Sequence, residues 1–226
     1  MDPSLENEQQ AEFLKAIKLF HDNDCLEHVV LIGSWTEFLY QQTGLIPQGT
    51  TALRTLDIDF LIRNLRKPNP PVNMEALARE QGYAVDRDAL LGTTKIRTAS
   101  RLEIEFLIAQ RGAGIEPVYR TSLGVTAQGL RGLGLLSSHT VTVTWFDIKI
   151  TVPIPEAYVL HKIIINDERG KGEKREKDKD SILSIFPYLD ESKYLVLLDE
   201  CTIKQKNKVA LFMNRFMNGD CLQKLS

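Results

Sequence analysis

The chain reads as an α+β protein, with a mixed sheet flanked by helices followed by a C-terminal helical bundle. Three observations predict this. Up to about residue 152, short β-branched or alternating apolar runs interleave with segments of helical periodicity. Pro153 and Pro155 then punctuate the chain. Beyond them the apolar spacing is helical to the end. The expected division is therefore a sheet core over residues 1–152 and a helical domain over 153–226.

In chain order, residues 8–22 place Phe13, Ile17 and Leu19-Phe20 near helical spacing, which predicts an amphipathic helix. Val29–Ile32 is wholly apolar and rich in β-branched residues, and it stops at Gly33; it reads as a buried strand. Ser34 can cap a helix over 35–42. A Gly/Thr/Pro-rich loop follows over 43–51. Leu56–Ile62 is the next strand, ended by the basic, Pro-rich segment 63–71. Met74–Gln81 reads as a helix and Thr94–Arg97 as a strand. Arg101–Ile108 is a clearer strand, with Leu102, Ile104 and Phe106 on one face and Glu103 and Glu105 on the other. The stretch 118–136 is Gly-rich and ambiguous. His139–Val152 alternates strongly and predicts one or two strands, bent near Trp145-Phe146-Asp147. Helices are then expected over 156–166, 173–186, 192–201 and 204–217, with Pro155 suited to the first turn of the first of them. Residues 167–180 mix six acidic and six basic side chains, which fits a solvated helix face better than a disordered tail.

Composition narrows the class. Of 226 residues, 43% are hydrophobic and 26% charged, which is ordinary for a globular chain. A net charge of -2 offers no general attraction for nucleic acid. Cys25, Cys201 and Cys221 are odd in number and far apart, so neither a disulfide framework nor a zinc site is expected. Met1–Gln10 is polar and acidic, unlike a signal peptide, and no apolar run approaches the ~20 residues that span a bilayer. The expectation is a soluble cytoplasmic protein with no membrane partner. There is no P-loop, and Gly132-Leu-Gly134 lacks the third glycine and setting of a dinucleotide loop.

The chemistry-bearing stretch is Leu56-Asp57-Ile58-Asp59-Phe60-Leu61-Ile62. In a strand, Asp57 and Asp59 share a face while Ile58 and Phe60 turn to a core. Ionised carboxylates on an apolar strand are costly unless something compensates them. A bound hard cation such as Mg²⁺ would do so; the plainer alternative is two surface acids on an edge strand. Backbone N–H groups at Gly33-Ser34, at a helix N-terminus, can hold phosphate oxygens, or the pair can be a simple capped turn. Glu105, or Glu103 on the same face, offers a third carboxylate; the plainer alternative for Glu105 is an exposed strand face or an ion pair with Arg101 or Lys95. Three such acids suit a two-metal nucleotidyl transfer. His161, Trp35 and Trp145 are expected to be buried packing residues.

The apolar strand with Gly33-Ser34, then Asp57-x-Asp59, then an acid on a later strand resembles the nucleotidyltransferase superfamily that includes DNA polymerase β. More closely, it resembles the small bacterial nucleotidyltransferase-like proteins of the AbiEii/MenT group. The later run Pro153-Ile-Pro-Glu-Ala-Tyr-Val-Leu-His-Lys162, Arg169 and Lys174-Arg-Glu-Lys177-Asp178 extends the likeness, which covers about residues 28–185. The interval from Ser34 to Asp57 is longer than usual, and glutamate stands where aspartate is commoner. The resemblance implies that Asp57, Asp59 and Glu105 bind two Mg²⁺ ions. It implies that Gly33, Ser34 and Lys162 hold the NTP phosphates, and that Lys177 or Asp178 borders the site. An acceptor such as tRNA, a small molecule or a protein, and an antitoxin-like partner, belong to the same expectation. A catalytically inactive nucleotide- or partner-binding module is the alternative.

Overall fold

The computed structural model describes residues 8–51, 55–63, 68, 70–110, 118–166 and 172–217. Arg169, Cys221, residues 1–7 and most of the basic stretch after Arg63 lie outside the described residues. The chain divides into two compact units, one of residues 1–39 and 53–153 and the other of 40–52 and 154–226.

The first unit is built on a mixed sheet. Helix α1 (Glu8–His21) precedes β1 (Val29–Ile32), and α2 (Ser34–Gln42) starts at Ser34 itself, immediately after Gly33. Then come β2 (Asp57–Ile62), α3 (Met74–Glu80), β3 (Ala84–Arg87), β4 (Thr94–Arg97) and β5 (Glu103–Ala109). The order across the sheet is β1-β2-β5-β4-β3. β2 pairs with β5 in parallel and with β1 antiparallel, so the aspartate strand is interior and the edge-strand alternative does not hold. β4 runs antiparallel to residues 103–105 of β5, and β7 (Thr126–Leu130) runs parallel to its residues 107–109.

The Gly-rich stretch resolves into β6 (Val118–Arg120), β7 and the short α4 (Gly134–Ser138). Apolar periodicity is silent there because tertiary pairing, not local pattern, decides these strands. β3 went unforeseen for the same reason: it is an edge strand of mostly exposed residues, ordered by its antiparallel pairing with β4. The alternating run after His139 is a hairpin of β8 (Thr140–Trp145) and β9 (Ile148–Pro153). Phe146 and Asp147, at φ 48° and 60°, form the two-residue turn whose twist suits a hairpin.

The two faces of the sheet differ. On one, Ile58 and Phe60 of β2 and Ile104 and Phe106 of β5 are buried beneath α1. Phe20 of α1 stacks on Phe60 with centroids 4.3 Å apart, and its ring lies 6.2 Å from Phe106. α3 covers β3 and β4 on this side, where its Glu75 accepts a 2.7 Å hydrogen bond from Thr94. Trp35 and Trp145 are buried as expected, in an aromatic cluster with Phe13 and Phe38. On the other face, Val30, Ile32, Leu61 and Leu107 pack beneath Leu133 and Leu136 at α4. The far half of that face, where β2 and β5 begin, carries Asp57, Asp59, Glu103 and Glu105.

The second unit gathers around α5 (Pro155–Asn166), against which α6 (Glu173–Ile185), α7 (Glu191–Glu200) and α8 (Ile203–Phe216) pack. α5 is buried nearly all round, as its apolar sequence demands. Asp190 caps α7, and a Thr202–Gln205 capping box starts α8. Residues 40–52 belong to this unit, with Tyr40 edge-on to Tyr158. Among the described residues no helix is long and apolar enough to cross a membrane.

Replacing Phe20 by alanine should remove about 3–5 kcal/mol of stability, since it opens a cavity between α1 and the sheet; urea unfolding measures it.

Candidate active site

The site is set by strand register. Asp57 stands opposite Glu103 and Asp59 opposite Glu105, on strands ~4.8 Å apart. Because paired residues of adjacent strands share a face, all four carboxylates project together. Their backs are apolar: Ile58, Phe60, Ile104 and Phe106 are at most 1% exposed. Asp57 is exposed, while Asp59, Glu103 and Glu105 are half-buried.

Gly33 has a specific place in this geometry. It sits at φ +76°, in the left-handed region. A side chain added there would run into Asp59, whose Cγ lies 3.3 Å from where a Cβ would stand. The glycine thus makes room for one of the chain's own carboxylates. Ser34, half-buried, is the first residue of α2, and the Thr36 hydroxyl donates to the Leu31 carbonyl at 2.9 Å, tying the turn to the end of β1.

Two cations share the acidic face. Lys95 on β4 stands opposite Glu105, and Arg97 opposite Glu103. Lys95 Nζ contacts Glu103, lies 2.8 Å from Glu105 Oε1 and reaches Asp88 at 3.9 Å. Arg97 donates through Nε to Glu103 at 2.9 Å and through Nη1 to Asp86 at 2.7 Å. Burial alone would raise the Glu103 carboxyl, but hydrogen bonds from Lys95 and Arg97 hold it below the ordinary glutamate value. The same bonds from Glu103 and Glu105 hold Lys95 above the ordinary lysine value. Glu103 is therefore shared by two cations and Glu105 by one. The foreseen ion pair of Glu105 is with Lys95; the Arg97 partner of Glu103 went unforeseen, though the alternation of Lys95 and Arg97 along β4 is visible in the sequence.

Among the described residues no three Asp, Glu, His or Cys side chains are gathered into a ready metal cage. The donor chemistry nevertheless suits a hard divalent ion: carboxylate oxygens on rigid neighbouring strands, next to a glycine turn at a helix start.

The remaining expected residues lie in the helical unit. Lys162 and Asp178 form a buried pair, Nζ to Oδ1 at 3.0 Å, and the ammonium stands 5.0 Å from the Tyr158 ring centre. Their side chains are 11% and 8% exposed. Lys177 instead points outward and pairs with Glu173 at 2.7 Å. His161 is buried.

The sequence is matched by a family model described as Nucleotidyltransferase, over residues 11–204. The chain belongs to that nucleotidyltransferase family. A nucleotidyltransferase-like antigenic protein from Paracoccidioides brasiliensis shares the fold, with a TM-score of 0.60 at 14% identity over 97% of this chain and 93% of that one. The antibiotic-resistance factor ANT(2'')-Ia aligns at TM-score 0.42 and 11% identity, over 93% and 97% of the two chains. A tRNA nucleotidyltransferase aligns at 0.29 and 11%, over 87% and 58%. Those last two alignments are too loose to support further comparison. No curated protein matches in sequence. The finer likeness to the AbiEii/MenT group is not identified by these matches.

Two substitutions probe the geometry. Gly33→Ala should strain the turn by about 1–2 kcal/mol and push Asp59 aside, lowering affinity for Mn²⁺ while circular dichroism still reports a folded protein. Lys162→Met should destabilise by about 3–5 kcal/mol, because it leaves Asp178 a buried charge without its cation; adding Asp178→Leu should restore part of the loss in thermal unfolding.

Proposed function

We propose that the protein transfers a nucleoside monophosphate from an NTP to an acceptor hydroxyl, with release of pyrophosphate and dependence on Mg²⁺. The observation that supports this most is the register that sets Asp57 and Asp59 beside Glu103 and Glu105 on one face, with Gly33 packed against Asp59.

Asp57 and Asp59 would hold two Mg²⁺ ions, with Glu105 completing the set. Bound there, Mg²⁺ would neutralise the triphosphate and favour a deprotonated acceptor oxygen. The chain's own groups orient the partners. The start of α2 presents backbone N–H groups, which favour phosphate oxygens. Glu105 can accept the proton of an acceptor hydroxyl. Lys162, which pairs with Asp178, is a further candidate phosphate contact by the family resemblance. The acceptor, whether an RNA such as tRNA, a small molecule or a protein, and an AbiEii/MenT-like pairing with an antitoxin-like partner, are the finer parts of the proposal.

A second reading, a nucleotide- or partner-binding module without activity, is favoured by one observation: Lys95 and Arg97 already neutralise both β5 glutamates. A labelling experiment separates the two. The protein is incubated with Mg²⁺, each α-labelled NTP, and tRNA or cell extract. Transfer of label that falls at least about a hundredfold in Asp57→Asn and Asp59→Asn supports the enzyme. Transfer that survives both substitutions overturns the metal assignment, and Mg²⁺-dependent NTP binding without transfer establishes the module.

A further inference from the structure

The charges on the acidic face are unevenly balanced. Asp57 and Asp59 lie on β2, and β5 stands between them and the cations of β4. Glu103 and Glu105, equally close in register to the aspartates, are closed off by Lys95. An ammonium in hydrogen-bond contact with Glu105 Oε1 stands beside any metal ion that this carboxylate would take, and two cations on one carboxylate repel strongly.

We propose that Lys95 is an internal counter-cation for the β5 glutamates, and that a divalent ion reaches Glu105 only by displacing its ammonium. This rests on the nucleotidyl-transfer reading, in which Glu105 is a metal ligand.

The surroundings of Lys95 are arranged for such a displacement. Glu103 stays as a pivot, held from the other side by Arg97 Nε at 2.9 Å. Asp88 Oδ2 lies 3.9 Å from the ammonium on the side away from β2, and is the acceptor to which it can turn. Asp88 is itself anchored, since its Oδ1 accepts the backbone N–H groups of Leu90 and Leu91 at 2.9 Å each. Those two bonds, with help from Lys95, keep its carboxyl below the ordinary aspartate value, so it is available as an anion. Lys95 therefore has three carboxylates within reach and loses only one when Glu105 is claimed. Without nucleotide, Asp57 and Asp59 load one ion and Glu105 stays on Lys95. The phosphates of an NTP then add the ligands that make displacement favourable, because Mg²⁺ sites of this kind are completed by substrate oxygens. Lys95 is thus a positioning residue, setting the order in which cations enter.

Mn²⁺ titration of nucleotide-free protein, read by the electron paramagnetic resonance of free Mn²⁺, tests this without any turnover. The wild type should bind one ion, lost in Asp57→Asn. Lys95→Met should bind a second ion, as expected when a cation in contact with the ligand carboxylate is removed. Lys95→Gln, which keeps hydrogen-bonding reach without charge, should do the same, and Lys95→Arg should resemble the wild type. A lysine that merely braces the sheet would lower the melting temperature when removed and leave the stoichiometry unchanged. If Lys95→Met and Lys95→Gln bind the same single Asp57-dependent ion as the wild type, the role of Lys95 is overturned while the metal assignment stands. If no variant binds Mn²⁺, with or without NTP, both fall.

Discussion

The parallel pairing of β2 with β5 is the constraint on which the rest of the site depends. A parallel ladder keeps paired residues on the same face along its whole length. One register, Asp57 to Glu103 and Asp59 to Glu105, therefore sets all four carboxylates on one side and Ile58, Phe60, Ile104 and Phe106 on the other. A slip of one residue on either strand would send two acids beneath α1, where Phe20 stacks on Phe60. The apolar face excludes that alternative, because an ionised carboxylate has no counterpart among those rings. The core thus enforces the geometry of the charges from the opposite face of the sheet.

The same face is divided along its length. At its apolar end, Leu61 and Leu107 are sealed by Leu133 and Leu136. At the charged end, β4 brings Lys95 and Arg97 against the glutamates while β1 ends and turns at Gly33 next to Asp59. β5 makes this possible by changing partners midway, from β4 at residues 103–105 to β7 at 107–109. The consequence is an ordered arrangement across three strands: the aspartates of β2, the glutamates of β5 paired to cations, then the cations Lys95 and Arg97 of β4. On the proposed reading, a phosphate-bearing ligand and its counter-ions would meet a face whose charge balance is set before they arrive, which is the preorganisation that charge-handling sites use. In the helical unit, Lys162 and Asp178 repeat the motif of a poised pair, there buried and held against Tyr158.

Much of this was legible along the chain. Val29–Ile32, Asp57–Ile62 and Thr94–Arg97 show their strands through β-branched or alternating runs, and the helices from Pro155 onward show theirs through apolar spacing and a proline start. The nucleotidyltransferase affiliation was legible too, in Gly33-Ser34 and Asp57-x-Asp59. β3, β6, β7 and α4 were not, because short and partly exposed strands take their conformation from the partner they pair with.

Local chemistry by itself determined which residues carry charge into an apolar strand, which face of that strand they share, and where a glycine must stand for the backbone to turn. Those are properties of residue type and a two-residue period. Only the tertiary structure decided that Glu103 belongs to two cations and Glu105 to one, that Gly33 makes space for Asp59, and that Lys162 is buried against Asp178 while Lys177 is not. Each of these depends on how strands and helices pair and which face they bury. Electrostatic pairing depends on distance and burial, which come into being only when the strands and helices are assembled.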